Sequence, residues 1–161
     1  IDPHYLEWKA KELNFNTHFI SLAGEINRKM PQFVAEKATR LLNRLGKAVS
    51  RSRILVMGVA YKKNLGDFRE SPSLDVIRLL QAQGAEVLYH DPYVPEFEEH
   101  GLVMHSSPLT EEVVADSDLV LITTDHGRID YEWLVEHARH VLDTRNTTQS
   151  ITNNRERITL L

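Results

Sequence analysis

The stretch GVAYKKNLGDFRESP, from Gly58 to Pro72, decides the fold because it joins a strand to a helix through a charged loop. The preceding run 54–57, ILVM, is short and apolar, which is typical of a strand buried on both faces of a parallel sheet. Ser71 followed by Pro72 predicts a helix start, with serine as the N-cap and proline at the first helical position. In an open α/β sheet, ligands bind at the loop beyond the carboxyl end of a strand.

Charged side chains crowd the loop between this strand and this helix: Lys62, Lys63, Asp67, Arg69 and Glu70. Cations beside the free N–H groups of a helix start form an anion site, most naturally for phosphate. A solvated surface loop is the alternative that composition alone favours. A second cation, Arg145, follows the last predicted strand, where an exposed loop arginine is an equally good interpretation.

The composition limits the classes of function. At 161 residues, 42% hydrophobic and 26% charged, the chain is long enough for one compact domain and an appended element. A net charge of -4 argues against a nucleic-acid partner. No apolar run approaches the roughly 20 residues needed to cross a bilayer, so we expect no membrane partner. The absence of cysteine excludes disulfides and a cysteine nucleophile within this sequence, and it fits the reducing cytoplasm, where we expect the protein to act.

Strand and helix patterns alternate along the second part of the chain. The predicted strands are 53–59, 86–90, 119–124 and 141–143, and the predicted helices are 71–83, 111–115 and 131–139. A strand, a helix and a strand in this order form a parallel pair with a right-handed crossover. The sequence therefore predicts an α/β fold with a Rossmann-like, mainly parallel sheet and flanking helices. Between these elements we expect a short helix at 96–100 and a short strand at 102–105, whereas the pattern does not place residues 150–161.

A long helix, predicted over 19–45, precedes this region. Its apolar residues recur at steps of three and four: Leu22, Ile26, Met30, Val34, Ala38, Leu41 and Leu45. At ~1.5 Å per residue the helix spans about 40 Å, so its apolar stripe needs a partner beyond one small domain. Pro31 predicts a kink or a break near Asn27, whose carbonyl would be left free. A basic connector after this helix marks the boundary between a helical region, 1–50, and the sheet domain, 51–161.

Other chemistries find little support in the residues. The Gly-x-Gly-x-x-Gly fingerprint is missing, because Gly58 stands alone and Tyr61 to Lys63 fill the space near a pyrophosphate. Asp91 resembles a ribose-binding acid, but without the glycines we do not expect this unit alone to bind NAD. The eight histidines lack metal-ligand spacing, so we expect no metal site.

The pattern Gly-x-Ala-Tyr-Lys within 58–62, followed by Asp-x-Arg-x-Ser-Pro within 67–72, resembles the UDP-binding domain of the UDP-glucose/GDP-mannose dehydrogenase family. That family carries Gly-x-x-(Phe/Tyr)-Lys and Asp-x-Arg-x-Ser at this point. Its Pro-x-Asp-Pro stretch matches at Asp2, and its Asp-x-Arg stretch matches at Arg145. The resemblance therefore extends over nearly the whole chain.

The resemblance implies roles for individual residues. Asp2 matches the aspartate of the family's catalytic site. Lys62 and Arg145 match residues that bind the nucleotide sugar, and they are expected to converge on the diphosphate and the sugar oxygens. Tyr61 would line the sugar pocket, and Asn27 matches an asparagine on the helix that faces the active site.

The resemblance also implies an activity for a longer protein. These enzymes oxidise a nucleotide sugar to its uronic acid with two molecules of NAD, through a cysteine thioester, and supply polysaccharide biosynthesis. The cysteine would lie just upstream of Ile1, so we interpret the chain as a C-terminal fragment that is not active alone. Arg69 would reach the cofactor, which is held mainly by the absent domain, and the long helix would form a homodimer. The motif Glu25-Ile26-Asn27 followed by Met30-Pro31 favours the branch that acts on UDP-N-acetylhexosamines over UDP-glucose.

Two other classes of function remain open. One is a stand-alone nucleotide-binding or regulatory module without redox activity. The other is a different enzyme, such as a flavodoxin-like or transferase domain that uses the same loop for another phosphate ligand. Titration with UDP, UDP-sugars, FMN and NAD distinguishes these classes.

Overall fold

The computed structural model describes residues 2–12, 17–99 and 101–161. Its helices are α1 (Asp2–Glu12), α2 (His18–Arg44), α3 (Pro72–Ala82), α4 (Glu111–Asp116) and α5 (Tyr131–His137). Its strands are β1 (Arg53–Met57), β2 (Glu86–His90), β3 (Glu96–Glu99), β4 (Leu102–His105), β5 (Leu119–Ile122), β6 (Val141–Asp143) and β7 (Ile158–Leu160).

Five strands form a sheet in the order β2-β1-β5-β6-β7, and each neighbouring pair is parallel. Ile54 in β1 is in register with Val87 on one side and Leu119 on the other. The chain moves outward from β1 to β2 on one side and returns to β5 on the other, so the strand order reverses between β1 and β5. Ligands bind at such a switch point, beyond the carboxyl ends of the strands. The predicted mainly parallel α/β fold is confirmed.

Both faces of the sheet are covered, which explains the continuous apolar run of β1. Ile54 and Val56 pack in the cluster that contains α2 and α3, whereas Leu55 and Met57 pack in the cluster that contains α4 and α5. All four of these side chains have no exposed surface. Alternate residues of one strand therefore fill two cores, as expected of a strand between two helical layers.

Helix α2 continues through Pro31 as one uninterrupted α-helix, so the break predicted near Asn27 is absent. Its C-terminal half buries one face against the sheet domain through Val34, Ala35, Ala38, Leu41 and Leu42. This packing offsets the one helical hydrogen bond that proline cannot donate. A second apolar stripe of Phe19, Leu22, Ile26 and Phe33, at spacings of three, four and seven, is exposed.

The sequence prediction was wrong for residues 96–99, which form strand β3 rather than a helix. Strand β3 pairs antiparallel with β4 in a two-stranded hairpin. Phe97 is buried between Glu96 and Glu98, and this alternation has the period of a strand although glutamate favours helices. Residues 158–160, which the sequence did not place, add the edge strand β7 beside β6.

Asp118 ties the end of α2 to the sheet. Its buried carboxylate accepts hydrogen bonds from the Lys47 side chain and from the backbone N–H of Arg53, and it lies 3.5 Å from the Arg139 guanidinium. The helical region therefore packs on the sheet domain, and the boundary at residue 50 stays a prediction. None of the described helices is long and apolar enough to cross a membrane.

Candidate functional site

An open cleft of about 800 Å³ lies at the switch point of the sheet. Loops after β1, β5 and β6 supply one part of its wall, and α2 and the start of α3 supply the rest. Its lining includes Asn27, Arg28, Pro31, Ala60, Tyr61, Lys62, Glu70, Ser71, Ser73, Asp75, Thr123, Thr124, Thr144, Arg145 and Leu161. Among the described residues, the predicted site residues Asn27, Tyr61, Lys62 and Arg145 thus share one cleft.

The loop after β1 turns sharply into the cleft at Gly58. This glycine has a φ of +84°, and a Cβ at its position would lie 2.5 Å from the Thr124 carbonyl oxygen. Only glycine combines this backbone conformation with such a close approach. The Thr124 hydroxyl then donates to the Ala60 carbonyl over 2.7 Å, so the loops after β1 and β5 are bonded to each other.

Lys62 offers an uncommitted cation to the cleft. Its ammonium group lies 5.6 Å from the centre of the Tyr61 ring, and it makes no ion pair with any residue that the structure describes. The neighbouring Lys63 instead binds the Asp125 carboxylate over 3.0 Å. Tyr61 lines the cleft with about half of its surface exposed. A phosphate near Lys62 would therefore not have to displace a carboxylate.

Arg145 reaches the same cleft from the loop after β6. The buried Asp143 carboxylate shapes this loop, because it accepts hydrogen bonds from the Arg145 N–H over 2.8 Å and from Thr148. The Arg145 Nε atom lies 3.8 Å from an Asp125 oxygen, at the outer limit of an ion pair. Aspartate two residues before the arginine thus fixes the turn, which gives the Asp-x-Arg spacing a structural reason.

The amino end of α3 lies in the wall of this cleft. Ser71 is buried and caps the helix by accepting a hydrogen bond from the Ser73 N–H, and Pro72 occupies the first turn. The dipole of the helix makes this end attractive to anions. Two cationic side chains and a helix start therefore line one cleft, an arrangement that suits a diphosphate.

Helix α2 contributes Asn27 to the lining of the cleft, together with two residues that sequence reasoning did not assign to the site, Arg28 and Pro31. Thr123 and Thr124, at the end of the strand predicted over 119–124, both line the cleft. Helix periodicity alone does not show which face of α2 meets a loop 30 residues away. Asp2 begins α1, and its side chain lies outside the described part of the structure.

Comparison with known proteins identifies the family. Residues 55–150 match the UDP-binding domain of the UDP-glucose/GDP-mannose dehydrogenase family. The chain belongs to this family. It is 36% identical over 126 residues, or 78% of its length, to a UDP-N-acetyl-D-mannosamine dehydrogenase of Methanococcus maripaludis. It is 33% identical over 150 residues, or 90% of its length, to the Pyrococcus horikoshii enzyme of the same name.

The solved structure of the Pyrococcus horikoshii UDP-D-ManNAc dehydrogenase is also similar to this family member. The match has a TM-score of 0.72 with 28% sequence identity, and it covers 94% of the present chain and 34% of the solved one. The two sequence relatives above are covered over 27% and 33% of their lengths. The chain therefore spans about a third of the dehydrogenases that it matches.

The predicted cofactor-binding residue, Arg69, is absent from the lining of the cleft. Its guanidinium makes a two-pronged ion pair with Asp67, with N···O distances of 2.9 and 2.8 Å, and its side chain is about four-fifths exposed. The side-chain and backbone hydrogen bonds of Arg69 lower the pKa of Asp67 to about 2, and the same pair raises the pKa of Arg69. Asp67 thus fixes the Arg69 guanidinium on the outer surface, and the role of Arg69 in cofactor binding stays a prediction.

The residues present do not fit the pyrophosphate of NAD. Asp91, the candidate ribose acid, is buried, and it accepts hydrogen bonds from the N–H groups of Val59 and Ala60 and from Tyr93 and Val94. Burial alone would raise the pKa of Asp91, but the bonds from His126 and from these N–H groups outweigh it and lower the pKa. Asp91 therefore organises the loops and is not among the residues that line the cleft.

Sequence reasoning also missed the partner of Asp91. His126 has no exposed surface, and its Nε2 atom lies 3.0 Å from the Asp91 carboxylate. No sequence signal joins two residues 35 positions apart, although Asp91 directly follows β2 and His126 lies in the loop after β5. Within the described residues, no group of three or more His, Asp or Glu side chains is arranged to hold a metal ion.

Proposed function

We propose that this chain is the nucleotide-sugar-binding portion of an NAD-dependent UDP-sugar 6-dehydrogenase. The observation that carries the proposal is that Lys62 and Arg145, which follow different strands, line one cleft beside the amino end of α3. A diphosphate suits this site, because Lys62 supplies a movable point charge and Arg145 a planar fork.

The remaining lining residues suit the sugar. Tyr61 lines the cleft with about half of its surface exposed, and aromatic ring faces pack against sugar carbons. Asn27 lines the cleft from α2, where a side-chain amide offers both donors and acceptors to hydroxyl groups. Asp2 would orient water or accept a proton near the reacting carbon.

We infer that the redox chemistry requires residues outside this chain. NAD, when bound, accepts hydride from C6 of the sugar. The sequence contains neither a dinucleotide fingerprint nor a cysteine that could form the thioester, so both belong to another part of the protein. We propose that Arg69, which Asp67 holds on the outer surface, contacts the cofactor. We do not expect the chain to catalyse the oxidation alone.

The substrate we propose is a UDP-N-acetylhexosamine, converted in the cytoplasm to the corresponding uronic acid for polysaccharide biosynthesis. Relatives named as dehydrogenases of UDP-N-acetyl-D-mannosamine and of UDP-N-acetyl-D-glucosamine support this choice. The exposed stripe on α2 supports a homodimer. We propose that neither a nucleic acid nor a membrane is a partner in this function.

Calorimetric titration of the purified chain tests the proposal. UDP and UDP-N-acetylhexosamines should bind, whereas NAD and FMN should give no heat at the same concentrations. If the chain binds UDP but its polypeptide contains no dehydrogenase domain, the alternative of a stand-alone module would be favoured. Tight binding of FMN with no response to UDP would contradict the assignment.

A further inference from the structure

Asp91 and His126 form a buried pair beneath the loop that carries Tyr61 and Lys62, and none of the roles above uses it. Asp91 follows β2 and His126 lies just beyond β5, so the pair bridges loops on both sides of β1. Both side chains are fully excluded from solvent, with 3.0 Å between His126 Nε2 and the Asp91 carboxylate. Buried polar groups with complete hydrogen bonding fix the positions of the segments that they join.

The contacts of His126 determine its tautomer. Its Nδ1 atom lies 3.0 Å from the backbone nitrogen of Asn64. A backbone N–H can only donate, so Nδ1 accepts this bond and the ring hydrogen lies on Nε2, from which it is donated to Asp91. Both ring nitrogens are therefore committed, one to the loop and one to Asp91.

The same pair holds the other end of the loop. One oxygen of Asp91 accepts the N–H groups of Val59 over 2.8 Å and of Ala60 over 3.0 Å, as well as the His126 hydrogen. Residues 60 and 64 are thus attached to one buried pair, and the two predicted ligand contacts, at positions 61 and 62, lie between the attachments.

Of the two attached residues, 60 and 64, Asn64 has the less common backbone conformation. Its φ of +60° is left-handed, which is uncommon for a residue other than glycine and must be maintained by its surroundings. His126 accepts the hydrogen bond from the Asn64 N–H. The Asn64 side-chain oxygen in turn accepts the Gly127 N–H over 2.8 Å. Loss of the acceptor at Nδ1 would release this conformation and, with it, the placement of Lys62.

We propose that His126 is a positioning residue for the nucleotide sugar. Through Asn64 it sets the backbone that presents Tyr61 and Lys62 to the cleft, while its bond to Asp91 stabilises the domain. This inference rests on the proposed function, because the ligand whose affinity it governs is a nucleoside diphosphate sugar.

Two substitutions separate the two bonds of the ring. In His126→Asn the side-chain amide occupies the place of Nδ1, so it keeps an acceptor for the Asn64 N–H and loses the donor to Asp91. In His126→Gln the amide reaches the place of Nε2, so it keeps the donor to Asp91 and loses the acceptor. His105→Gln is the matched control, since His105 is exposed on the β3–β4 hairpin and its ring lies 3.3 Å from Glu96.

The expected result is a crossed pattern in calorimetric titrations with UDP and in thermal unfolding. His126→Gln should bind UDP about ten-fold more weakly, because an unsatisfied N–H is left in the loop. His126→Asn should have the lower melting temperature and bind UDP nearly as the wild type does. His105→Gln should change neither measurement. If both His126 variants have lower melting temperatures and bind UDP with the same affinity as each other, His126 is a structural residue only. That result overturns the inference.

A measurement without ligand distinguishes this outcome from failure of the proposed function. Amide hydrogen exchange by NMR in the ligand-free chain should show loss of protection at Asn64 in His126→Gln and retained protection in His126→Asn. Equal exchange in the wild type and in His126→Gln overturns the inference. If the wild type does not bind UDP, the proposed function fails and with it the role toward the nucleotide sugar, even if the exchange pattern shows that His126 anchors the loop.

Discussion

Lys62 and Lys63 are neighbours in the chain but have different surroundings. Lys62 lines the cleft, whereas Lys63 is held by Asp125 over 3.0 Å and lies outside the lining. The same substitution can therefore be made at each position. It compares a cation that faces the proposed ligand with an adjacent cation that does not.

We expect Lys62→Gln to weaken UDP binding by about ten- to a hundred-fold, because hydrogen bonds to charged groups contribute about 1.5–3 kcal/mol. Lys63→Gln is the control and should change the affinity little. The measurement is calorimetric titration of both variants at constant ionic strength, since phosphate contacts are screened by salt. Equal losses in the two variants would show that general charge, rather than a contact from Lys62, attracts the nucleotide.

Asp67 provides a prediction that depends on pH. Hydrogen bonds from Arg69 lower its pKa to about 2, so the carboxylate is ionised and holds the guanidinium at all higher pH values. A lowered pKa means that any stabilisation by this pair is present above the ordinary pKa of about 3.9 and is lost as the pH falls through about 2. In an NMR titration, the Asp67 carboxyl should titrate near pH 2 in the wild type and near its ordinary value in Arg69→Gln. An unchanged midpoint in that variant would contradict the pairing.

Among the elements, α3 and α4 begin in the same way but at different places. Ser71 caps α3 in the wall of the cleft, and Thr110 caps α4 outside the lining by accepting the Val113 N–H over 3.3 Å. Removal of either cap by alanine should lower the free energy of unfolding by about 1 kcal/mol.

Ser71→Ala should also weaken UDP binding, whereas Thr110→Ala should not, because only the start of α3 lies in the wall of the cleft and loss of its cap would loosen that wall. Chemical denaturation and calorimetric titration of the two variants check both statements. A loss of affinity in Thr110→Ala as large as in Ser71→Ala would mean that the cap acts through stability alone.

Local patterns were sufficient to predict most elements. The apolar run of β1 and the Ser71-Pro72 start of α3 depend on neighbouring residues, and the structure confirms both. Strand β3 was missed because its pairing with β4 overrides the helix preference of its glutamates, and β7 was missed because only pairing with β6 defines it. In the site, the strand-end positions of Lys62 and Arg145 were visible in the sequence. The pairing of Asp91 with His126 was not, since it depends on the order of strands in the sheet.

At the scale of the whole molecule, α2 has two apolar faces. One packs on the sheet domain, and the other exposes Phe19, Leu22, Ile26 and Phe33, with Phe19 about nine-tenths exposed. A helix with apolar residues on both sides is typical of an element that contacts two partners.

We expect the chain to sediment as a dimer in analytical ultracentrifugation and Ile26→Glu to shift it toward the monomer, because a buried charge in an apolar interface is unfavourable. Val103→Glu is the control, since Val103 is similarly exposed on the separate hairpin. A wild-type chain that remains monomeric at high concentration would contradict the proposed dimer.

The position of Leu161 has a practical consequence. Its N–H donates to the Asp143 carbonyl over 3.1 Å, and the residue lines the same cleft as Arg145. Because the sequence contains no cysteine, Leu161→Cys would introduce a single thiol at this spot. An environment-sensitive dye attached there would change its emission when a nucleotide sugar enters, which makes the chain a starting point for an optical sensor.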